Sequence, residues 1–154
     1  MIRLFFAALL LATLPAVLEA RADPPTGLWL TEKEGVVVRL YECDDGALCG
    51  RTVWLKKPNW KDGTPRLDSK NPDTALRDRP WCGIEVITGL RPDEDGRWSG
   101  GEVYDPKTGE RFDFDLARTD DGLKARGYLG VPLLGKSENW TPAEADGLSF
   151  CDPV

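Results

Sequence analysis

Residues 110–118, ERFDFDLAR, place Phe112, Phe114 and Leu116 at alternate positions, with Arg111, Asp113 and Asp115 between them. A period of two sends one set to each face of a pleated strand, so one face is apolar and the other meets water. The preceding YDPKTGE (residues 104–110) supplies a turn. Asp105 can accept backbone N–H groups, Pro106 is preset for a type I turn, and Gly109 tolerates positive φ. Before that turn, RWSGGEVYD (97–105) is a second strand-sized run, and its Gly100-Gly101 pair marks a bulge or a sharp bend. The two runs predict a β-hairpin with one buried face.

The same pattern continues in both directions. In LKARGYLG (123–130), Leu123 and Ala125 oppose Lys124, Arg126 and Tyr128. In CGIEVITGL (82–90), Cys82, Ile84 and Val86 oppose Glu85, and Ile87 breaks the alternation. TGLWLT (26–31), GVVVRLYEC (35–43), CGRTVWL (49–55) and VPLLGKSENW (131–140) complete eight runs, with Asp-Gly turn signals in DEDGR and TDDGL. No stretch carries a sustained helical period. Eight short strands in meander order predict an all-β fold, an eight-stranded antiparallel up-and-down barrel, because closure removes exposed edges. The interior of such a barrel is filled by side chains or holds one small ligand. A two-sheet sandwich is the alternative that hairpin signals alone leave open.

Ahead of the first strand, Met1-Ile2-Arg3, the apolar stretch Leu4 to Leu18 and Ala20-Arg21-Ala22 have the three parts of a secretory signal peptide. Residues 1–22 are therefore expected to be removed after Ala22, leaving residues 23–154 as one domain in the periplasm or outside the cell, with no membrane span. Removing Arg3, Arg21 and Glu19 from 20 basic and 26 acidic residues leaves 18 and 25, a net charge of −7. That charge disfavours nucleic acid and anionic membrane as generic partners.

All four cysteines lie beyond residue 22, and an even count in an oxidising compartment predicts two disulfides. Cys43 and Cys49 flank DDGAL and can face each other across a hairpin, which leaves Cys82 and Cys151 to pair by elimination. Their spacings fit no ordinary zinc site.

The one long connection is 56–80, which has four prolines and little alternation. Within it, NPDTALRDRP (71–80) predicts one or two helical turns. Asn71 is the expected cap, Pro72 suits the first position, Asp73 the positive end of the dipole, and Pro80 the stop. Leu76 is the expected apolar anchor onto the barrel. The connection holds seven basic and four acidic residues, +3 on a body of −10. Arg77 and Arg79 can clamp the loop, with Asp105 or Asp113 as neighbours for Arg77, or they can meet an anion at the barrel mouth as forked donors.

Catalytic signatures are missing from the sequence. The chain has no histidine, which removes Ser-His-Asp and Cys-His sets and most metal sites. Neither a phosphate loop nor a dinucleotide-binding glycine pattern occurs. Asp68, Asp73 and Asp105 could supply a carboxylate pair, but nothing in the pattern singles out two. The expectation is a non-enzymatic binding module without cofactor or metal, taking a small molecule at the barrel mouth or interior. The alternative is an envelope interaction module with a filled barrel.

GLWLT, LCGRTVWL, NPDTALRDRP, GGEVYDPKTGERF and LKARGYLG, in this order, resemble the exported bacterial family called domain of unknown function 2147, from about Gly27 to Trp140. The resemblance implies a lipocalin-like barrel and no settled activity. It marks Asn71, Pro72, Asp73, Arg77, Arg79, Tyr104, Asp105, Arg126, Gly127 and Tyr128 as motif positions without roles. Gly27-Leu28-Trp29 also resembles the G-x-W that opens lipocalin barrels, which implies an arginine stacked on Trp29, here Arg126. Trp54, Trp98 and Trp140 are expected in the core or at the rim.

Overall fold

In the computed structural model, which describes residues 23–33 and 35–151, eight strands close into one antiparallel barrel in sequence order. They are β1 (Gly27–Thr31), β2 (Val36–Glu42), β3 (Leu48–Leu55), β4 (Glu85–Pro92), β5 (Trp98–Asp105), β6 (Glu110–Thr119), β7 (Gly122–Tyr128) and β8 (Lys136–Pro142). Pairing of β1 with β8, Thr31 opposite Trp140, completes the circle. The up-and-down barrel is thus met and the sandwich is not. The expected signal peptide lies outside the described residues. Among those described, no helix is long and apolar enough to cross a membrane.

The alternation of residues 110–118 survives in register. Phe114 and Leu116 are buried, and Leu116 pairs with Ala125 of β7. Gly100-Gly101 does form a break in register between β5 and β6, with Gly100 at φ +70°. A Cβ on Gly101 would lie 2.6 Å from Leu90 Cγ, so the backbone approaches where no side chain fits. The eighth run is shorter than its sequence suggested. Pro132 has no N–H to give a ladder, and Pro132–Leu134 instead form a 3-10 turn before β8 starts at Lys136.

One end of the barrel is plugged. Trp29, Leu40, Leu48, Leu90, Trp98, Leu116 and Leu123 are all buried in one cluster. Trp29 Nε1 donates to Pro25 O at 2.9 Å. The expected stacking of Arg126 on Trp29 is corrected here: among the described residues no arginine lies over the Trp29 ring, and Arg118 caps this end over the Trp98 ring at 5.7 Å, donating to Asp23 O at 3.1 Å. Arg126 points elsewhere because Ser137 and the Pro132 and Leu133 carbonyls take its donors.

Disulfides join Cys43 to Cys49 across the β2–β3 hairpin and Cys82 to Cys151. The second bridge ties the C-terminal tail to the wall, where Cys151 N donates to Val53 O at 2.9 Å. Val37 and Val53 are buried but lie outside the interior cluster. Val37 alternates with Val36 and Val38, which line the interior, so it faces outward.

Residues 56–84 fold back over the open end. Leu67 bridges Pro80, Asp68 N donates to Arg79 O at 2.9 Å, and Trp81 N donates to Arg66 O at 2.9 Å. A second turn of this arm is closed by an Asn59–Pro65 bridge. The helical turn is Thr74–Leu76, and Asp73 caps it, accepting from Ala75 N. Asn71 is not the cap, because its Oδ1 is taken one step earlier by Asp73 N at 2.9 Å. Leu76 is not an anchor, since it is 37% exposed.

Candidate functional site

Behind this arm the barrel is hollow. A cavity of about 800 Å³ opens at the mouth end, between the strand ends of β1–β2, β3–β4, β5–β6 and β7–β8. Its walls are Val38 of β2, Val86 and Ile87 of β4, Val103 of β5, Phe112 and Phe114 of β6, and Ala125 of β7. Inward-facing positions of a strand recur every second residue, which is why these walls are apolar. At the mouth the lining turns cationic: Lys33, Lys57, Arg66, Lys107 and Lys136, against Asp105 and Glu138.

The arm over the mouth is held by Asp68. This carboxylate is fully buried. Its Oδ2 accepts from Asn71 Nδ2 at 2.7 Å and from Arg79 Nε and Nη2, each at 2.9 Å. Its Oδ1 accepts from the Tyr104 hydroxyl of β5 at 2.5 Å. Tyr104 is the residue that joins the arm to the barrel wall, while Arg79 and Asn71 reach Asp68 from within the arm. A buried charge is tolerated only when paired and hydrogen-bonded, and here four donors converge on one carboxylate.

The remaining sequence-selected residues separate into distinct places. Arg77 Nε donates to Asn71 O at 2.8 Å. The expectation of Asp105 or Asp113 beside it is corrected, because Arg77 turns inward to close its own loop. Asp113 Oδ2 instead accepts from Gly130 N at 2.8 Å, and Asp105 shapes its turn, accepting from Lys107 N at 2.9 Å. Tyr128 donates to Asp115 Oδ1 at 3.3 Å. Asn71, Asp73, Arg77 and Arg79 therefore belong to the arm, and Arg126, on β7, holds the β7–β8 loop through the Pro132 and Leu133 carbonyls. Asp68, Asp73 and Asp105 do not form a reactive carboxylate pair: the first accepts four donors, the second caps a turn, and the third holds another. The arm meets the β5–β6 hairpin at Gly109, φ +77°, where a Cβ would stand 2.0 Å from Lys70 O.

Three aromatic and cationic residues at the mouth had no pattern to single them out. Arg66 lies over Trp60, 4.3 Å from its ring centre, and 5.2 Å from that of Trp81. The two indoles meet edge to face at 6.1 Å. Trp81 is buried and Trp60 is half exposed. Trp98 and Trp140 are core residues, as expected of them, and Trp54 is half-buried.

The pKa of Tyr104 is pushed up to about 12, by burial first and then by its bond to Asp68 and that carboxylate's charge. Its folded value thus exceeds the unfolded value of about 10. The stabilisation is fully present below pH 10 and is lost as the pH rises through 10 towards 12. The melting temperature is expected to fall across that window. Tyr41 and Tyr128 are also raised, chiefly by burial, so Tyr104→Phe should flatten the slope without abolishing it. Melting curves of both proteins at each pH decide this; parallel slopes would exclude the role of Tyr104.

The family model described as "Uncharacterized protein conserved in bacteria (DUF2147)" matches residues 27–142. That span runs from the first residue of β1 to the last of β8. The chain belongs to this family. In this DUF2147 protein the matched span contains both the cavity walls and the whole of the arm. A solved structure described as "Protein HP1028 from the human pathogen Helicobacter pylori belongs to the lipocalin family" is similar at TM-score 0.66 and 20% identity, over 80% of this chain and 85% of that one. At that identity the likeness concerns the fold, a lipocalin-like barrel. No curated protein sequence matches this DUF2147 chain.

Proposed function

We propose that this protein is an exported, non-enzymatic binding module that takes one small apolar molecule into the open half of its barrel. The observation carrying this reading is the cavity of about 800 Å³ with walls of Val, Ile and Phe and one open end. Ligand sites commonly have about 300–1,000 Å³ and apolar walls with a few placed polar groups. Two disulfides support an oxidising compartment.

The test uses protein purified from a Gram-negative periplasm, whose intact mass also reports cleavage after Ala22. The neutral fluorophore N-phenyl-1-naphthylamine should bind with increased emission. Val103→Trp, which adds bulk to the cavity wall, should reduce that binding at least tenfold while leaving the melting temperature within a few degrees. Failure of the parent protein to bind this probe or any other apolar molecule of similar size would remove the proposal.

A second reading, an envelope interaction module, draws support from the β7–β8 loop. Leu129, Val131, Leu133 and Leu134 are 68%, 51%, 89% and 80% exposed. Contiguous exposed apolar side chains mark contact surfaces more often than isolated ones do.

A further inference from the structure

Arg66 is a cation without a counter-charge. Among the described residues its side chain has no ion pair and no hydrogen bond, and its Nε is buried with no acceptor. Trp81, only 7% exposed, also has a buried Nε1–H with no acceptor. Both residues line the cavity at its mouth, and the guanidinium lies against the Trp81 ring. Guanidinium and indole are donors only. A buried donor left unpaired costs about 1–3 kcal/mol, and a charged one more. Two such donors, on side chains 5.2 Å apart from guanidinium carbon to ring centre and both lining an apolar cavity, call for an acceptor that carries negative charge.

We propose that Arg66 and Trp81 seat the head of an amphipathic carboxylate whose hydrocarbon tail lies along the cavity walls. This rests on the reading that the cavity binds a small molecule, and it adds the chemical class. The guanidinium fork matches the two oxygens of a carboxylate, and one monoanion neutralises its charge. Lys57 and Lys136 at the rim carry the same sign and favour approach of an anion. The tail is apolar where it lies along Val38, Ile87, Val103, Phe112 and Phe114, which offer it no polar partner.

Calorimetric titration of the mature protein with dodecanoate and with dodecan-1-ol tests this. Both share the tail and differ at the head. Dodecanoate should bind about 10- to 100-fold more tightly, the equivalent of a charged hydrogen-bonded contact, and its affinity should fall as salt is added. Arg66→Met, which keeps the stem and removes the charge, should abolish that preference and leave dodecan-1-ol binding within twofold. Its melting temperature should stay level or rise, because an unpaired half-buried charge is lost. Arg66→Lys, charged but without the fork, should retain a reduced preference, and Trp81→Phe should weaken dodecanoate several-fold. Equal binding of the two ligands by the parent protein, or an Arg66→Met change that weakens both equally, would overturn the head site and leave the cavity reading standing. Failure of dodecanoate, dodecan-1-ol and the neutral fluorophore alike would overturn both.

Discussion

Replacing Asp68 with alanine is expected to lower the melting temperature by roughly 10–20 °C, the largest effect of any single substitution considered. The reason is the company the carboxylate keeps. It is fully buried and accepts from Asn71, Arg79 and Tyr104. Alanine removes four accepted bonds at once and leaves the Arg79 guanidinium without its ion-pair partner. Arg79 is 35% exposed and can turn to water, but the buried Tyr104 hydroxyl and Asn71 amide lose their acceptor at about 1–3 kcal/mol each, and each kcal/mol moves the midpoint of a domain of this size by roughly 3–5 °C. Asp68→Asn retains an acceptor oxygen and should cost less. Because the bond to Tyr104 joins the arm to β5, limited proteolysis of the alanine variant should also open between residues 56 and 80. Calorimetry and peptide mapping check both parts. A drop below about 3 °C would mean that the arm is held by Trp81 and its apolar neighbours instead.

The second large effect is expected at the tail. The double variant Cys82→Ser, Cys151→Ser opens a bridge between residues 69 apart in sequence, whereas Cys43–Cys49 spans 6. Chain entropy of the unfolded state sets an upper value of about 4.4 kcal/mol for the longer loop and about 2.4 kcal/mol for the shorter. Loss of the longer bridge also frees the segment bonded to the Val53 carbonyl. The Cys82/Cys151 variant should therefore melt about 10–20 °C below the parent, and the Cys43→Ser, Cys49→Ser variant by roughly half as much. Thermal unfolding of all three under oxidising conditions measures the order. If the short-loop variant is the less stable, strain or tail contacts, not loop length, govern the bridges.

Strand existence and the hairpin turns are legible in the sequence, because a period of two and turn chemistry are local properties. ERFDFDLAR could not alternate its phenylalanines and aspartates and remain anything but a half-buried strand. YDPKTGE carries its own turn, and Gly100-Gly101 announced the bulge. Even so, VPLL reads as part of its strand, since a short apolar run does not declare whether proline will divert it.

The site was less legible. The stretch NPDTALRDRP does contain arm residues, yet Asp68, three residues before it, is the one that organises them. Charge alone predicts a carboxylate beside Arg77, and a main-chain carbonyl of its own loop takes it instead. Arg66 and Trp81 stand 15 positions apart, in a connection with no periodicity to relate them. They meet only because residues 66–68 pair back onto 79–81. Whether a barrel has a cavity or a filled interior depends on the summed volume of side chains converging from eight strands, and no single strand records that sum. The sequence by itself determined eight antiparallel strands with one apolar face, and the β1–β8 pairing in the structure closes them into the barrel. Only the tertiary structure decided that the barrel is plugged at one end and hollow at the other, and that an unpaired arginine stands at the opening. Periodicity acts between neighbours in the chain, whereas cavities and charge pairing arise between residues that the fold alone brings together.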